Sequence, residues 1–305
     1  MTGGNITITY NPSPDMEHIP VLLNEILASL NPQPNEDVID ATVNGGGHAE
    51  ALLSKIAPNG KLLGIDRDPA ILAETRLRLA RFGGRVMLAE ANFANISLIA
   101  GEYGVLHPHC ILFDLGFSSY HLASANRGFS FQKDEPLDMR YNPKDTDCTA
   151  EAIVNHCSPE ELLRIFEEYG EIRRAKKFVE LLVGERQKRR IQTTKELAAL
   201  AEKSFGRGKI HPATKVFQAL RIVVNRELEH VTTGLAGAFE ILEPGGRLAV
   251  ISFHSLEDRI VKNLFKEWKD AGTILTKKPI TASHNEIRQN PRSRSAKLRI
   301  ITKNS

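Results

Sequence analysis

The chain of 305 residues has room for about two domains, and 41% hydrophobic with 25% charged residues is the composition of an ordinary soluble globular protein. No apolar stretch approaches the roughly 20 residues of a membrane span, and the N-terminus lacks the apolar core of a signal peptide, so a cytoplasmic location without a membrane partner is expected. Cys110, Cys148 and Cys157 are too few and too scattered for a disulfide framework or a zinc site, and no metal is expected.

Residues 1–15, rich in Gly, Asn and Pro, read as a disordered lead-in. Val21 to Leu27 carries a helical apolar stripe that Pro32 and Pro34 stop. The short apolar run Val38-Ile39 then enters the loop Asp40-Ala-Thr-Val-Asn-Gly-Gly-Gly-His48. Three consecutive glycines let the backbone approach a ligand closely, and a helix beginning near His48 aims free N–H groups at it. Lys61 to Asp66 is a second strand ending in an acid, well placed to accept hydrogen bonds from both hydroxyls of a ribose. Asp68-Pro69 is an N-cap followed by proline at the first helical position, which predicts a helix to about Arg81. Arg85 to Ala89 is a third strand, ending before Asn92-Phe93, and Cys110 to Phe113 a fourth, leading into Asp114-Leu-Gly-Phe-Ser-Ser119. This alternation predicts a parallel sheet with right-handed crossovers. The loops after Ile39 and Phe113 both lie past the carboxyl ends of strands, where open α/β sheets bind their ligands.

After Ser119 the pattern changes. Residues 125–147 are polar and loop-like, and from Thr149 to about Phe205 the periodicity is helical, with Leu162, Ile165, Phe166, Tyr169, Ile172, Ala175, Val179 and Leu182 on one face. Thr193-Thr194-Lys-Glu196 opens a helix in the manner of a capping box. His211-Pro212 precedes what reads as one long helix carrying Val216, Leu220, Val223, Leu228, Val231 and Leu235. Strand character returns at Gly246 to Phe253, and Thr273 to Thr276 with Lys297 to Ile301 form a final strand pair. The fold class is therefore α/β. A Rossmann-like sheet domain, residues 16–125 and 211–305, is interrupted after its fourth strand by an all-α domain at 126–210.

The first loop suits NAD or S-adenosylmethionine. A dinucleotide turn wants G-x-G-x-x-G, and the third glycine position here is Glu50. The methyl donor has no pyrophosphate and needs only the tight turn and the ribose acid, so the spacing favours S-adenosylmethionine over NAD. His48-Ala49-Glu50 matches the H-x-E of zinc deaminases, but P-C-x-x-C is absent, and no G-K-[ST] follows the glycines. Asp114 after its strand suits a metal ligand, a base contact or a helix cap, and its neighbourhood to the cleft favours a ligand contact.

Several long runs resemble signatures of the bacterial 16S rRNA (cytosine-N4)-methyltransferases. They are Asp114-Leu-Gly-Phe-Ser-Ser119, Arg127-Gly-Phe-Ser-Phe131, Pro136-Leu-Asp-Met-Arg140, His211-Pro-Ala-Thr-Lys-Val-Phe-Gln-Ala-Leu-Arg221, Ile251-Ser-Phe-His-Ser-Leu-Glu-Asp-Arg-Ile260 and Asn290-Pro-Arg-Ser-Arg-Ser-Ala-Lys-Leu-Arg299. The resemblance covers Glu17 to Arg299. It implies a class I methyltransferase fold and binding of S-adenosylmethionine through Gly46, Gly47, His48, Asp66, Phe93 and Asp114. It further implies methylation of a cytidine in the decoding region of 16S rRNA, with the small ribosomal subunit as partner, and a homodimer. The family places a glutamine in Ser-Ser-Pro-Gln, whereas this chain reads Ser-Ser-Tyr120-His121, so the corresponding contact falls to His121, whose imidazole can donate or accept a hydrogen bond. Asn44, Phe117 and Ile172 also depart from the usual pattern. Ser118, Ser119, Asp138, Arg140 and His254, polar residues of the signature segments, are the candidates for positioning the cytidine.

The net charge is only +3, but basic residues crowd 173–190 and 277–303, where Glu286 is the lone acid of the second run. Two such runs point to a polyanionic partner, with the helical insert and the basic tail gripping rRNA phosphates. Three other classes share parts of this pattern. A non-catalytic rRNA-binding factor would not need the glycine turn and Asp66, a small-molecule methyltransferase would gain nothing from the basic runs, and a dehydrogenase would want glycine at position 50.

Overall fold

The computed structural model describes residues 19–115, 127–144, 146–206, 208 and 211–305. The lead-in expected at 1–15, and Ser118, Ser119 and His121, lie outside the described residues. Seven strands form one sheet: β1 Val38–Asp40, β2 Leu62–Asp66, β3 Val86–Glu90, β4 Cys110–Asp114, β5 Arg247–Ser252, β6 Gly272–Ile274 and β7 Lys297–Lys303. Their spatial order is β3-β2-β1-β4-β5-β7-β6. β1 to β5 pair in parallel, and β7 runs antiparallel to both of its neighbours.

Alternation along the strands sends side chains to two helical layers. Ile39, Ile65, Ile111, Phe113 and Val250 face one hydrophobic cluster, whereas Val38, Leu62, Leu112, Ala249 and Ile251 face the other. Helices α1 Leu23–Leu30, α2 Gly47–Lys55 and α3 Pro69–Leu79 bury their stripes on the second face, and α4 Ile96–Glu102 lies on the first. The expected cap of α3 is present, with the Asp68 carboxylate accepting from Ala70 N at 3.0 Å and Pro69 at the first helical position.

The helical part contains α5 Ala150–His156, α6 Pro159–Glu168, α7 Ala175–Lys188 and α8 Thr194–Phe205. Capping boxes Ser158/Glu161 and Thr193/Glu196 start α6 and α8. Phe166 and Phe178 meet edge to face in its core, with ring centroids 5.0 Å apart. The long helix expected after Pro212 is two helices, α9 Ala213–Asn225 and α10 Glu227–Ile241, separated by Arg226 in the left-handed region (φ 50°, ψ 39°). The break reassigns what each half buries. Val216, Phe217, Leu220 and Val224 of α9 complete the helical cluster, whereas Val231, Leu235 and Ala238 of α10 pack on the sheet. α9 thus packs with the helical cluster. Helix α11 Ser255–Glu267 follows β5, and α12 His284–Gln289 precedes a 3-10 turn, Pro291–Ser295, that leads into β7.

Buried Asn225 holds the junction. Its side chain accepts from Tyr141 N (2.8 Å) and donates to the carbonyls of Met139 (2.8 Å) and Arg221 (2.9 Å). Gly128 (φ 72°) closes the other entrance to the insert, and a Cβ there would stand 2.2 Å from the carbonyl oxygen of Pro136. Because that neighbour is backbone and the φ is unfavourable for other residues, Gly128→Ala should destabilise the protein by about 2 kcal/mol. Chemical denaturation will measure this, and a loss below about 0.5 kcal/mol would show that the loop rearranges freely.

Candidate active site

The order of the sheet reverses between β1 and β4, so the loops after these two strands part and leave a crevice at their carboxyl ends. Asn44, Gly45 and Gly46 follow one another with φ of 43°, 81° and 83°, a run that glycine and asparagine tolerate best. Gly46 is the N-cap of α2, so the glycines deliver the free N–H groups of that helix to the crevice. The turn is pinned between two acids. Asn44 N donates to Asp66 Oδ2 (3.3 Å), and Asn44 Nδ2 donates to the carbonyl of Asp114 (3.1 Å). Asp114 N in turn donates to Thr42 Oγ1 at 2.6 Å.

Buried His48 sits below this turn, with Nε2 2.9 Å from the carbonyl of Val21 and Nδ1 3.7 Å from Asp114 Oδ2. It ties the segment before α1 to the crevice acid. Phe93 packs edge to face on Phe113 (5.4 Å) and fills the space over Gly234 of α10.

Two cavities meet here. The first is lined by Thr42, Asp66, Ala91, Phe93, Tyr141 and His230, among others. Asp66 Oδ1 accepts from Asp68 N at 2.9 Å and Oδ2 from Asn44 N at 3.3 Å, and the Arg67 amide adds a third backbone hydrogen bond. The carboxylate still lines the cavity as an acceptor for a ribose hydroxyl, and with the glycine turn and Phe93 the residues fit a nucleoside-bearing cofactor. The second cavity, of about 370 Å³, lies between sheet and insert, with Phe129, Phe131, Phe217 and Phe253 as apolar walls and Arg221, His254 and Arg292 as polar ones. Asn44, Asp114, Leu115 and Glu257 line both.

Four of these lining residues, Tyr141, Arg221, Glu227 and Glu257, none of them expected from sequence, form one network. Arg221 grips Glu227 through Nε (2.9 Å) and Nη2 (3.1 Å), and Tyr141 Oη donates to Glu227 Oε1 at 2.9 Å. Burial pushes the Tyr141 hydroxyl well above its ordinary pKa. Burial also opposes ionisation of Glu257, but the charge and hydrogen bond of His254, the Phe253 amide and the Arg221 charge together hold its pKa below the ordinary value. Glu227, His254 and Glu257 bring potential metal-ligand atoms within 4.8 Å of one another, and Arg221 pairs with Glu227 beside them.

Of the expected cofactor residues, Asp66, Phe93 and Asp114 line these cavities, whereas Gly46 and Gly47 at the start of α2 and buried His48 beneath Asp114 line neither. Two of the expected cytidine-positioning residues also stand outside them. Asp138 and Arg140 line neither cavity; they pair with each other (Nη2–Oδ2 2.7 Å, Nε–Oδ1 2.8 Å), and Arg140 also donates to the carbonyls of Pro143 and Thr146, so the pair locks a loop. His254 lines the second cavity but caps α11, with Nδ1 accepting from Glu257 N at 3.4 Å and Nε2 3.1 Å from Glu257 Oε1. Arg221, Glu257 and Arg292 sit inside runs already singled out, Arg221 within α9 and Glu257 in the capping box that starts α11.

The model of the MraW methylase family matches residues 15–304. The chain belongs to that family. Among similar relatives are proteins named ribosomal RNA small subunit methyltransferase H from three bacteria. That of Thermomicrobium roseum is 48% identical with 92% of each chain covered, and that of Syntrophotalea carbinolica is 46% identical with 93% and 97% covered. That of Persephonella marina is 46% identical with 93% and 98% covered. Membership of this methylase family accounts for the fold expected from sequence, a Rossmann-like class I methyltransferase sheet, and for the methyl-donor cofactor preferred over NAD.

Asp40, at the end of β1, is buried with Oδ2 lacking a partner among the described residues; burial, with Asp114 and Asp66 adding repulsion, pushes its pKa up to about 8. Burial also raises Asp66, to about 6, against the backbone hydrogen bonds that favour its charge. An acid whose pKa is higher folded than unfolded adds stability only below its unfolded pKa and loses it as pH climbs to the folded value. Between pH 6 and 8 the loss should come chiefly from Asp40. Asp40→Asn should flatten it, narrowing the fall in stability by on the order of 2 kcal/mol. Parallel unfolding curves for the two proteins across that range would overturn the assignment.

Proposed function

We propose that this chain uses S-adenosylmethionine to methylate the exocyclic N4 of a cytidine in the decoding region of 16S rRNA. The observation that carries the reading is the junction of the two cavities at Asn44, Asp114, Leu115 and Glu257. A pocket suited to a nucleoside cofactor opens there into an aromatic-walled space of base-like character.

When bound, S-adenosylmethionine supplies an electrophilic sulfonium methyl. The residues of the chain do the rest by position. Asp66 holds the ribose, the glycine turn and the start of α2 cradle the remainder, and Phe93 covers the cofactor base. His121, outside the described residues, belongs to the cofactor side of this reading by family resemblance, and Ser118 and Ser119 to the acceptor side. The aromatic walls accept an unstacked base, as an acceptor inside an RNA helix must leave its stack to be reached. The N4 lone pair is delocalised into the ring, so the site must hold the amine at attack geometry, and Asp114 at the junction is placed to accept an N4 hydrogen. Positioning of this kind supplies effective molarities of ~10⁵ M or more without a metal or a covalent nucleophile.

The substrate in this reading is the small ribosomal subunit, and a cytoplasmic location and a homodimer belong to it as well. No helix among the described residues is long and apolar enough to cross a membrane.

The test incubates the protein and methyl-labelled S-adenosylmethionine with small subunits from a strain lacking N4-methylcytidine, and identifies the labelled nucleoside by mass spectrometry. N4-methylcytidine at a single site is expected, and label on another base overturns the acceptor assignment. Asp66→Ala should weaken cofactor binding about tenfold or more, the loss of hydrogen bonds to a charged group. An unchanged titrated affinity would remove Asp66 from the ribose.

A further inference from the structure

The cations of the two basic runs fall into two classes. In the C-terminal run, Arg299 and Lys297 turn to Asp258, with closest approaches of 2.6 and 3.2 Å, and Lys303 donates to the carbonyls of Glu240 and Leu242. In the first run, Arg189 and Arg190 face Glu196 and Glu151. Arg173 and Arg174, at the entrance to α7, are exposed and have no ion-pair partner among the described residues.

These two arginines line a cleft of about 530 Å³ with Lys215 of α9, and Phe205 and Pro212 give it a less polar side. Glu171 is the one acid among the described residues of its wall, and the sheet domain already engages it. Arg259 of α11 donates to Glu171 Oε1 (2.9 Å) and Ser255 Oγ to Oε2. Lys215 Nζ donates to the Glu171 carbonyl at 3.1 Å, which uses one of its three donors and none of its charge. Glu202, which does not line the cleft, pairs with His211 Nε2 at 2.6 Å. The cleft therefore keeps a net positive charge that the fold does not spend on itself.

Its position narrows what it can take. Thr214 lines the aromatic-walled acceptor cavity, and the next residue, Lys215, lines the cleft. His211 of the cleft stacks on Phe131 of the cavity wall, with ring centroids 4.4 Å apart. A strand with one base turned into the cavity carries its adjoining phosphates past this wall. We infer that the cleft binds the backbone phosphates adjoining the acceptor cytidine, with Arg173, Arg174 and Lys215 as their partners. The inference rests on the proposed rRNA reaction and adds the site that holds the strand while the base is out of its stack. Such contacts carry no sequence information; they fix the register of the strand on the protein. The planar fork of each arginine suits a pair of phosphate oxygens.

The experiment uses the full chain loaded with S-adenosylhomocysteine and small subunits reconstituted from rRNA without the N4 methyl. In a second set of subunits, the two phosphates flanking the nucleotide that the wild type methylates are uncharged methylphosphonates. Binding is measured across a salt series for the wild type, for Arg173→Gln combined with Arg174→Gln, and for Arg189→Gln combined with Arg190→Gln. On natural subunits the first pair should weaken binding about tenfold, as the loss of charged hydrogen bonds does, and lower the salt slope by about one. The second pair, whose cations already face carboxylates, should change affinity less than about twofold. Methylphosphonates should weaken the wild type about as much as the first pair does and change that variant less than about twofold, the signature of a shared contact. Unchanged S-adenosylhomocysteine affinity shows that the variants are folded, and the wild-type response tests the location without any variant. A wild type indifferent to the methylphosphonates overturns the inference. So does a first pair as sensitive to them as the wild type, which would place these arginines on distant rRNA or on a ribosomal protein. Equal losses from the two pairs would show a general effect of charge and overturn it too. A wild type that methylates no cytidine overturns the functional reading itself, an outcome visible before any variant is made.

Discussion

The parallel pairing of β1 with β4 is the constraint from which the site follows. Val38, Ile39 and Asp40 lie opposite Cys110, Ile111 and Leu112, so two strands whose crossovers leave in opposite directions end side by side in the middle of the sheet. Their ends and the end of β2 bring Asp40, Asp66 and Asp114 to one edge above an apolar core. Carboxylates so placed lose water, which is the main reason Asp40 and Asp66 rise so far above ordinary carboxylates, with repulsion from Asp114 and Asp66 added at Asp40 and from Asp68 at Asp66. The chain offsets this with N–H groups from its own turns and with cations brought from distant segments. Arg127 reaches Asp68 (2.6 Å), and the charge of Arg292 bears on Asp114. An acid edge that needs cations from elsewhere also holds the insert and the C-terminal turn against the sheet.

Docking of the insert shows the same economy. Arg127 binds Asp68 and also donates to the carbonyls of Arg140 and Tyr141, so a single guanidinium connects the cap of α3 to the first loop of the insert. Asn225 closes the opposite end on Tyr141 and Met139. Between these two fasteners the loop 127–141 lies along the cavity and contributes Phe129, Phe131 and Met139 to its wall. The aromatic side of the site is thus made by the insert and the acidic side by the sheet.

The sheet strands were legible because buried parallel strands are short apolar runs bounded by turn residues. The helix starts at Asp68-Pro69 and Thr193 were legible because capping chemistry is local. The break at Arg226 was not, since the apolar periodicity of Val216 to Leu235 continues across it, and an arginine with φ of 50° carries no sequence mark. That one dihedral pair decides which core each half enters. In the site, the residues set by backbone geometry or strand position, Gly46, His48 and Asp66, could be read from spacing or resemblance. Partners could not. Asp138 and Arg140 were visible as charges, but only the fold shows that they satisfy each other, and only the fold shows that Arg292 leaves the basic run for the cavity.

Partnering also decides where an RNA backbone has charge to meet. Within the first basic run, Lys188, Arg189 and Arg190 stand against Glu185, Glu196 and Glu151, and Arg186 donates to the carbonyl of Val154. Such exposed pairs add little stability, but they cancel the local field. Arg173, Arg174, Lys176 and Lys177 differ: all four are exposed and crowd the start of α7, whose first turn contains no acid. A helix dipole makes that end the least favourable place for positive charge. With α7 held by Phe178, Val179 and Leu182 in the helical core, the fold tolerates the cost without needing the cations for stability. A cluster that local electrostatics disfavour and packing does not use suits binding to a polyanion, and it stands on the same insert whose loop walls the acceptor cavity.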